Sequence, residues 1–174
     1  GCAAVAGDAA AFGFQLTFFR SRVPQTQGMR SSLAARQLVF AHAALTDVKA
    51  RKLWHDQRMA RWSGDAPGQN PADTAWASAQ NTRIRLRDWT LEHQGDGLEA
   101  RLRCTDFALS LNLTPSQPVL LQGDQGLSRK GPEVSQTSYY YSLPHLQVRG
   151  ELELRGKRHT VGAGSTAWLD HEWS

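Results

Sequence analysis

Apolar side chains alternate with polar or small ones along several short segments of the chain. In residues 12–18, every second side chain is phenylalanine or leucine. This period of two predicts a strand with one buried face. The same period recurs at residues 98–104 and 146–154, which predicts further strands. No alternation of strands with long helical segments is present, so the pattern predicts an all-β fold and argues against a parallel α/β sheet.

Turn signals between these segments predict antiparallel hairpins. The sequence Gly-Asp-Gly at 95–97 is a strong hairpin signal, and Gly156-Lys157 predicts a second turn. The alternation changes phase across Arg87-Asp88, which predicts a β-bulge or bend there. Eight or so short strands joined by hairpins are typical of an antiparallel barrel or sandwich.

Two long polar segments interrupt the strand patterns. Residues 63–81 contain Gly and Pro and predict either a surface excursion or a flap over a cavity. Residues 114–138 are longer and richer in turn residues. The apolar triplet Val119, Leu120 and Leu121 lies within this second segment, and we expect it to pin the loop to the body of the protein.

The composition supports a folded domain. The chain has 174 residues, of which 40% are hydrophobic and 21% charged, as in ordinary globular proteins. This length allows one domain with a proper core. No run reaches the roughly 18 apolar residues that a membrane-spanning helix needs. The net charge is +4, but the arginines are scattered, so the sequence predicts no nucleic-acid partner.

The cysteines and histidines show no disulfide framework and no metal-ligand spacing. The sequence therefore predicts no metal site. Cys104 continues the apolar phase of residues 98–102, which predicts a buried free thiol. His42 lies among apolar residues, and both a core position and a ligand contact are open for it.

The segment AWLDHEWS, residues 167–174, carries the densest group of reactive side chains. In a strand, Trp168, Asp170 and Glu172 share one face, and His171 lies on the other. An indole beside a carboxyl group inside a barrel predicts a raised pKa for the acid, because loss of water disfavours the carboxylate. Such an acid can donate a proton. In the alternative interpretation, the acids cap backbone amides and the tryptophans fill a core.

Three consecutive tyrosines form a second candidate. In a strand, Tyr139 and Tyr141 face one way and Tyr140 faces the other. A tyrosine ring packs against apolar groups while its hydroxyl reaches a polar partner. Both packing and ligand contact are therefore open for this segment.

Five segments taken together resemble a known family. They run from Phe12 to Ser174 and appear in this order: FGFQLTFFR, FAHAALTDV, LQGDQGLSRKG, SYYYSLPHLQVRGEL and AWLDHEWS. As a set they are similar to the carotenoid 1,2-hydratases (hydroxyneurosporene synthases) and the bacterial AttH-type lipocalin-like proteins. The resemblance implies two lipocalin-like β-barrels in tandem. Residues 1–174 would then form a single, partial N-terminal barrel, and the second barrel would lie outside this chain.

The resemblance also implies a reaction without cofactors. In hydratases of this kind an acid protonates an isolated double bond, and water captures the tertiary cation. The resemblance implies Asp170 as the acid and Trp168 as the ring that shields it and stabilises the cation. We take four further residues as candidate contacts to the substrate: Tyr139, Tyr141, Glu172 and His42.

Two functions remain open at this stage. The first is a hydratase or related acid-catalysed enzyme that acts on a long apolar isoprenoid or lipid. The second is a non-catalytic protein that binds a small hydrophobic molecule. For either, the resemblance implies a location in the bacterial cell envelope or periplasm, with membrane association as an expectation. It also implies the second barrel of the intact protein as a partner.

Overall fold

The computed structural model describes residues 1–5, 8–31, 33–70, 73–133 and 135–174. Within them the chain forms strands and one short 3-10 turn, Pro24–Thr26. The strands are β1 (Cys2–Val5), β2 (Asp8–Arg22), β3 (Gln37–Asp47), β4 (Lys52–Trp62), β5 (Ala75–Ala77), β6 (Arg83–Leu86), β7 (Trp89–Gln94), β8 (Gly97–Arg103), β9 (Phe107–Pro115), β10 (Leu120–Leu121), β11 (Leu127–Arg129), β12 (Thr137–Leu154), β13 (Lys157–Val161) and β14 (Thr166–Trp173).

These strands form one antiparallel sheet that curls into a nearly closed barrel. The strand order is β4-β3-β2-β1-β14-β12-β9-β8-β7-β6-β5, and β10, β11 and β13 also pair with β12. The strands at the two ends of this order, β4 and β5, contact each other. The predicted all-β antiparallel fold is confirmed. No helix in the described ranges is long and apolar enough to cross a membrane.

The period-two pattern places the core where the sequence predicts it. On β8, β9 and β12 the predicted apolar positions face one interior, and all are buried except Leu154, which is half-buried and packs against the core. Cys104 is a buried free thiol, as predicted, and burial raises its pKa to about 12. The buried apolar side chains of these three strands are Leu98, Ala100, Leu102, Phe107, Leu109, Leu111, Leu113, Leu146, Val148 and Leu152.

Of the bulge or bend predicted at Arg87-Asp88, the bulge is wrong, because the chain reverses direction there in a tight two-residue hairpin turn. Leu86 pairs directly with Trp89 across that turn, and Arg87 adopts a positive φ of 58°. Residues that flank a two-residue hairpin lie opposite each other on one face of the sheet. A two-residue hairpin therefore gives the same change of phase as a bulge.

The two polar segments also differ from their predictions. Residues 63–81 contain β5, whose Ala75 is buried, so part of this segment completes the barrel wall. Val119, Leu120 and Leu121 are 50%, 45% and 52% exposed, so they do not pin their loop by burial. The backbone of β10 holds this loop by pairing with β12.

Strand β12 changes neighbours along its length. From residue 146 onward it pairs with β9 on one side. Its first part, residues 137–143, instead pairs with β10 and β11 on that side, while β14 lies on the other. A register shift between Leu143 and Leu146 separates the two parts. The candidate site lies on the first part, beyond the end of β9.

Candidate functional site

The register of β12 against β14 brings two predicted segments together. Asp170 lies opposite Ser142, and Glu172 lies opposite Tyr140. Residues directly opposite in an antiparallel pair place their side chains on the same face of the sheet. Trp168, Asp170 and Glu172 therefore share a face with Tyr140 and Ser142, as the alternation predicts.

Three side chains donate hydrogen bonds to Asp170. Ser142 Oγ lies 2.6 Å and Trp168 Nε1 lies 2.7 Å from Asp170 Oδ1. The Tyr140 hydroxyl is the third donor. Ser142 is fully buried, and its Oγ in turn accepts a hydrogen bond of 2.9 Å from Gln122 Nε2. The serine hydroxyl is thus fixed in the orientation that donates to the carboxylate.

These contacts make Asp170 a carboxylate at neutral pH. Burial raises the pKa of Asp170, but the hydrogen bonds from Ser142, Trp168 and Tyr140 together lower it by more. The pKa therefore lies below its usual value. The hydrogen bond to Asp170 also raises the pKa of Tyr140. The predicted raised pKa of Asp170 is therefore wrong.

The prediction failed because it placed this face inside the barrel. Ala167 is buried and Leu169 packs against the core, so the odd-numbered residues of β14 face inward. Trp168, on the outer face, is 53% exposed. On the outer face the carboxylate is less desolvated than it would be in the interior, and the hydrogen bonds from its three donors favour the charged form.

Glu172 belongs to the same outer network. It accepts hydrogen bonds from Ser138 Oγ at 2.7 Å and from Lys130 Nζ at 2.9 Å. These two partners hold its pKa below the usual value. The Lys130 ammonium also lies 5.0 Å from the centre of the Tyr140 ring. Glu172, predicted as a substrate contact, is thus held by side chains of its own chain.

Replacement of Ser142 by alanine should raise the pKa of Asp170, because one donor to the carboxylate is lost. A folded-state pKa below the unfolded value gives stability that is present above the unfolded pKa and lost as pH falls through the folded pKa. Ser142→Ala should therefore reduce the loss of stability on acidification. Carbon-detected NMR titration of the aspartate carboxyl groups measures the shift.

Ser138→Ala is the matched control, because Ser138 donates to Glu172 instead. It should raise the pKa of Glu172 and leave that of Asp170 nearly unchanged. If Ser142→Ala left the pKa of Asp170 where it is, the hydrogen bond would not determine the charge state of this carboxylate.

The opposite face of the same strands carries a row of aromatic and apolar side chains. Tyr141 lies opposite His171, and Tyr139 lies opposite Trp173. The Tyr141 hydroxyl is 2.9 Å from His171 Nδ1, and burial lowers the pKa of His171. Tyr139 stacks on Trp173 with ring centres 5.7 Å apart. We call this the aromatic face, and its members are Leu121, Leu127, Tyr139, Tyr141, His171 and Trp173.

The sheet therefore divides the predicted site in two. Asp170, Trp168 and Glu172 lie on the outer face, whereas Tyr139 and Tyr141 lie on the aromatic face. The aromatic face continues the inward side of β14 beyond the core. One small ligand cannot contact both groups directly, because the backbone of β12 and β14 lies between them.

His42 lies away from both groups. It is on β3, and β2 and β1 separate that strand from β14. Its side chain is exposed and packs edge-on against Phe19, with ring centres 5.4 Å apart. The sequence leaves open a core position for His42, and that prediction is wrong because its side chain is exposed. The structure also does not bring His42 to Asp170.

The network around Asp170 includes residues that the sequence analysis did not select. Tyr140 and Ser142 could have been found, because their alternation places them on one face of a strand. Gln122 and Lys130 carry no such signal, since they come from β10 and β11 regions joined to β12 by irregular chain.

Two cavities in the described part of the chain lie away from both groups. One of about 350 Å³ is lined by residues of β8, β9, β12 and β13, and its charged members include Arg103 and Glu153. Another of about 330 Å³ lies over β3 and β4 beside His42 and His55. In the described part of the chain, no three His, Cys, Asp or Glu side chains come together as a metal site.

Solved structures with this architecture provide the comparison. A crystal structure assigned as an AttH from Nitrosomonas europaea is 44% identical, with a TM-score of 0.75, over 94% of this chain and 46% of its own. Kievitone hydratase from Nectria haematococca matches with a TM-score of 0.58 and 11% identity, over 78% of this chain and 39% of its own. The chain thus spans less than half the length of either protein.

The family model gives a match over almost the whole sequence. No curated protein matches the chain. The model described as AttH-like matches residues 3–174, which include the barrel, the Asp170 network and the aromatic face. This chain therefore belongs to the AttH-like family.

Proposed function

We propose that the protein binds a long apolar molecule, an isoprenoid or a lipid, against the aromatic face. The observation that carries this proposal is the exposure of that face. Tyr139 is 57%, Leu121 52% and Trp173 48% exposed, although their neighbours Ala167 and Leu169 pack at the core. Exposed apolar side chains in one contiguous row mark a place where a ligand or partner removes them from water.

The shape of the aromatic face fits an extended apolar ligand. Its side chains come from β12 and the strands paired with it, β10 and β11 on one side and β14 on the other, so they form a continuous strip. Rings provide a large apolar surface with few rotatable bonds, which lowers the entropy lost on binding. The contact between Tyr141 and His171 gives the strip one polar position, where a terminal hydroxyl or carboxyl group of the ligand can bind.

The test is binding of cis-parinaric acid, a fluorescent polyene fatty acid, to the intact protein. Trp173→Ala should weaken binding about tenfold, since loss of a well-packed aromatic contact costs about 1–2 kcal/mol. Trp168→Ala removes the same side chain from the outer face and should leave affinity nearly unchanged. If Trp168→Ala weakened binding and Trp173→Ala did not, the ligand would lie on the outer face. Mass spectrometry of apolar molecules that copurify with the protein then identifies the natural ligand class.

A second candidate function is hydration of a double bond in an apolar substrate at Asp170. The observation that favours it is the contact between the Asp170 carboxylate and the Trp168 indole. An indole ring beside the acid can stabilise a developing cation through its face. A kievitone hydratase shares this fold at 11% identity, so the fold is compatible with such a reaction.

The charge state of Asp170 sets a condition on that chemistry. Its pKa is lowered while its face is open to water, so the carboxylate holds no proton at neutral pH. An apolar substrate that covers Trp168 and Asp170 would displace this water and strengthen the effect of burial, which raises the pKa. Asp170 would then act as the proton donor only in the covered site. Substitution of Asp170 by asparagine tests this role.

A further inference from the structure

The inner face of β2 changes from apolar to basic along its length. Four apolar side chains on this face lie in the core or pack against it, and they are Phe12, Phe14, Leu16 and Phe18. The next two positions on the same face are Arg20 and Arg22. Residues 9–46 contain four arginines and no Asp or Glu. The charge at this end of β2 and β3 therefore favours anions.

Two side chains hold the Arg20 guanidinium in place. Its central carbon lies 5.0 Å from the centre of the Trp62 ring, and its Nε donates a hydrogen bond of 3.0 Å to Gln37 Oε1. Trp62 is buried, and its Nε1 donates a hydrogen bond of 2.9 Å to the Asp65 carbonyl. Arg20 forms no salt bridge with a carboxylate of the described residues. Its two terminal nitrogens are therefore available to an oxyanion, which an arginine binds through two parallel hydrogen bonds.

Arg20 lies at the same end of the barrel as the aromatic face. At Cys2, β1 pairs with Gly13 of β2 and with Thr166 of β14, so β2 and β14 run in the same direction. Arg20 and Trp173 each lie seven residues beyond these partners. Both belong to the inward side of their strands. A ligand that lies along the aromatic face therefore reaches the height of Arg20 where it passes Trp173.

We propose that the apolar ligand of the aromatic face carries an oxyanion head group, a carboxylate or a phosphate monoester, which binds Arg20. This inference rests on the proposed function and adds the charge of the ligand to it. The contact of Tyr141 with His171 offers hydrogen bonds but no charge at neutral pH, because burial lowers the pKa of His171. Arg20 keeps its charge at every physiological pH. The ligand class is thus a long-chain acid and not a neutral hydrocarbon or alcohol.

A second arginine on this side of the sheet is held by its own loop. Arg129 shares a face with Leu127 of the aromatic face. Its Nε and Nη2 donate hydrogen bonds of 3.2 and 2.6 Å to the carbonyls of Gly131 and Pro132. These bonds occupy one edge of the guanidinium, which an oxyanion would otherwise use. Arg129 is therefore a matched control, with the same charge at the same end of the barrel.

The test compares cis-parinaric acid with its methyl ester, which has the same chain and no charge. At a pH where the carboxyl group is ionised, the intact protein should bind the acid about tenfold more tightly than the ester, because hydrogen bonds to charged groups are strong. Arg20→Gln should weaken binding of the acid about tenfold and leave the ester nearly unchanged, so the preference is lost. Arg129→Gln should keep the preference. Retained binding of the ester shows that the aromatic face of Arg20→Gln is still folded.

Displacement of the bound probe from the unmodified intact protein needs no variant. Palmitate or hexadecyl phosphate should displace it better than hexadecanol, and the better competitor of the two identifies the head group. Equal displacement by hexadecanol would overturn the charged head group. A preference for the acid that survives Arg20→Gln, or that is lost in Arg129→Gln instead, would overturn Arg20 as its site. In these cases binding that depends on Trp173 would still stand, whereas failure of both probes to bind would overturn the proposed function as well.

Discussion

Asp170→Asn is expected to reduce hydration of an apolar alkene at least about a hundredfold, the usual cost of losing a general acid. The asparagine carbonyl can still accept the hydrogen bonds from Ser142 and Trp168, so the shape of the site is kept. The amide cannot donate the proton that starts the reaction. Incorporation of ¹⁸O from labelled water into the product, followed by mass spectrometry, measures turnover in the intact protein.

Two other variants separate catalysis from folding. Trp168→Phe should cost less turnover, because the smaller ring still excludes water and faces a cation. His171→Ala should affect stability more than turnover, since His171 lies on the opposite face with Tyr141. Retained turnover in Asp170→Asn would show that Asp170 is not the proton donor. Unfolding of that variant, with no turnover in the parent protein, would mean that Asp170 only anchors β14 to β12.

The two proposed functions differ in which face binds the apolar molecule. Ligand binding without turnover requires the aromatic face and is weakened by loss of Trp173. Hydration at Asp170 requires the outer face and is weakened by loss of Trp168. Because these tryptophans lie on the same strand with opposite orientations, the two alanine variants give opposite results under the two proposals.

Local alternation was sufficient to predict the barrel walls. The period of two at residues 98–104 and 107–113 places every second side chain in the core, and the structure buries those positions. The turn at 95–97 joins β7 and β8 as predicted. Such features depend on neighbours within a few residues, so the sequence pattern contains them directly.

The chemistry of the candidate site was not predictable in the same way. Alternation showed that Trp168 and Asp170 share a face, but it could not show which face is inside the barrel. That choice depends on Ala167 and Leu169 packing against strands far away in sequence. The donors to Asp170 are also distant, since Ser142 and Tyr140 come from β12. The direction of its pKa shift is therefore set by tertiary structure.

The largest loss of stability is expected from Trp89→Ala. Trp89 is completely buried, and its Nε1 donates a hydrogen bond of 2.9 Å to the carbonyl of Arg103. The Arg58 guanidinium lies 4.6 Å from the centre of its ring. Removal of the ring leaves a cavity between β7 and β8. It also deprives Arg58 of the aromatic surface on which its guanidinium packs in the parent protein. Such substitutions cost about 3–5 kcal/mol in the free energy of unfolding, measurable by urea denaturation.

Two control variants assign this loss to the buried ring. Trp89→Phe keeps most of the ring, and the Arg103 carbonyl keeps its other donor, Arg58 Nη2 at 2.6 Å, so this variant should cost only about 1–2 kcal/mol. Trp168→Ala removes the same side chain from an exposed position and should cost less than about 1 kcal/mol. An equal loss in Trp89→Ala and Trp168→Ala would contradict the assignment, because the barrel interior around β7 would then contribute no more than the surface.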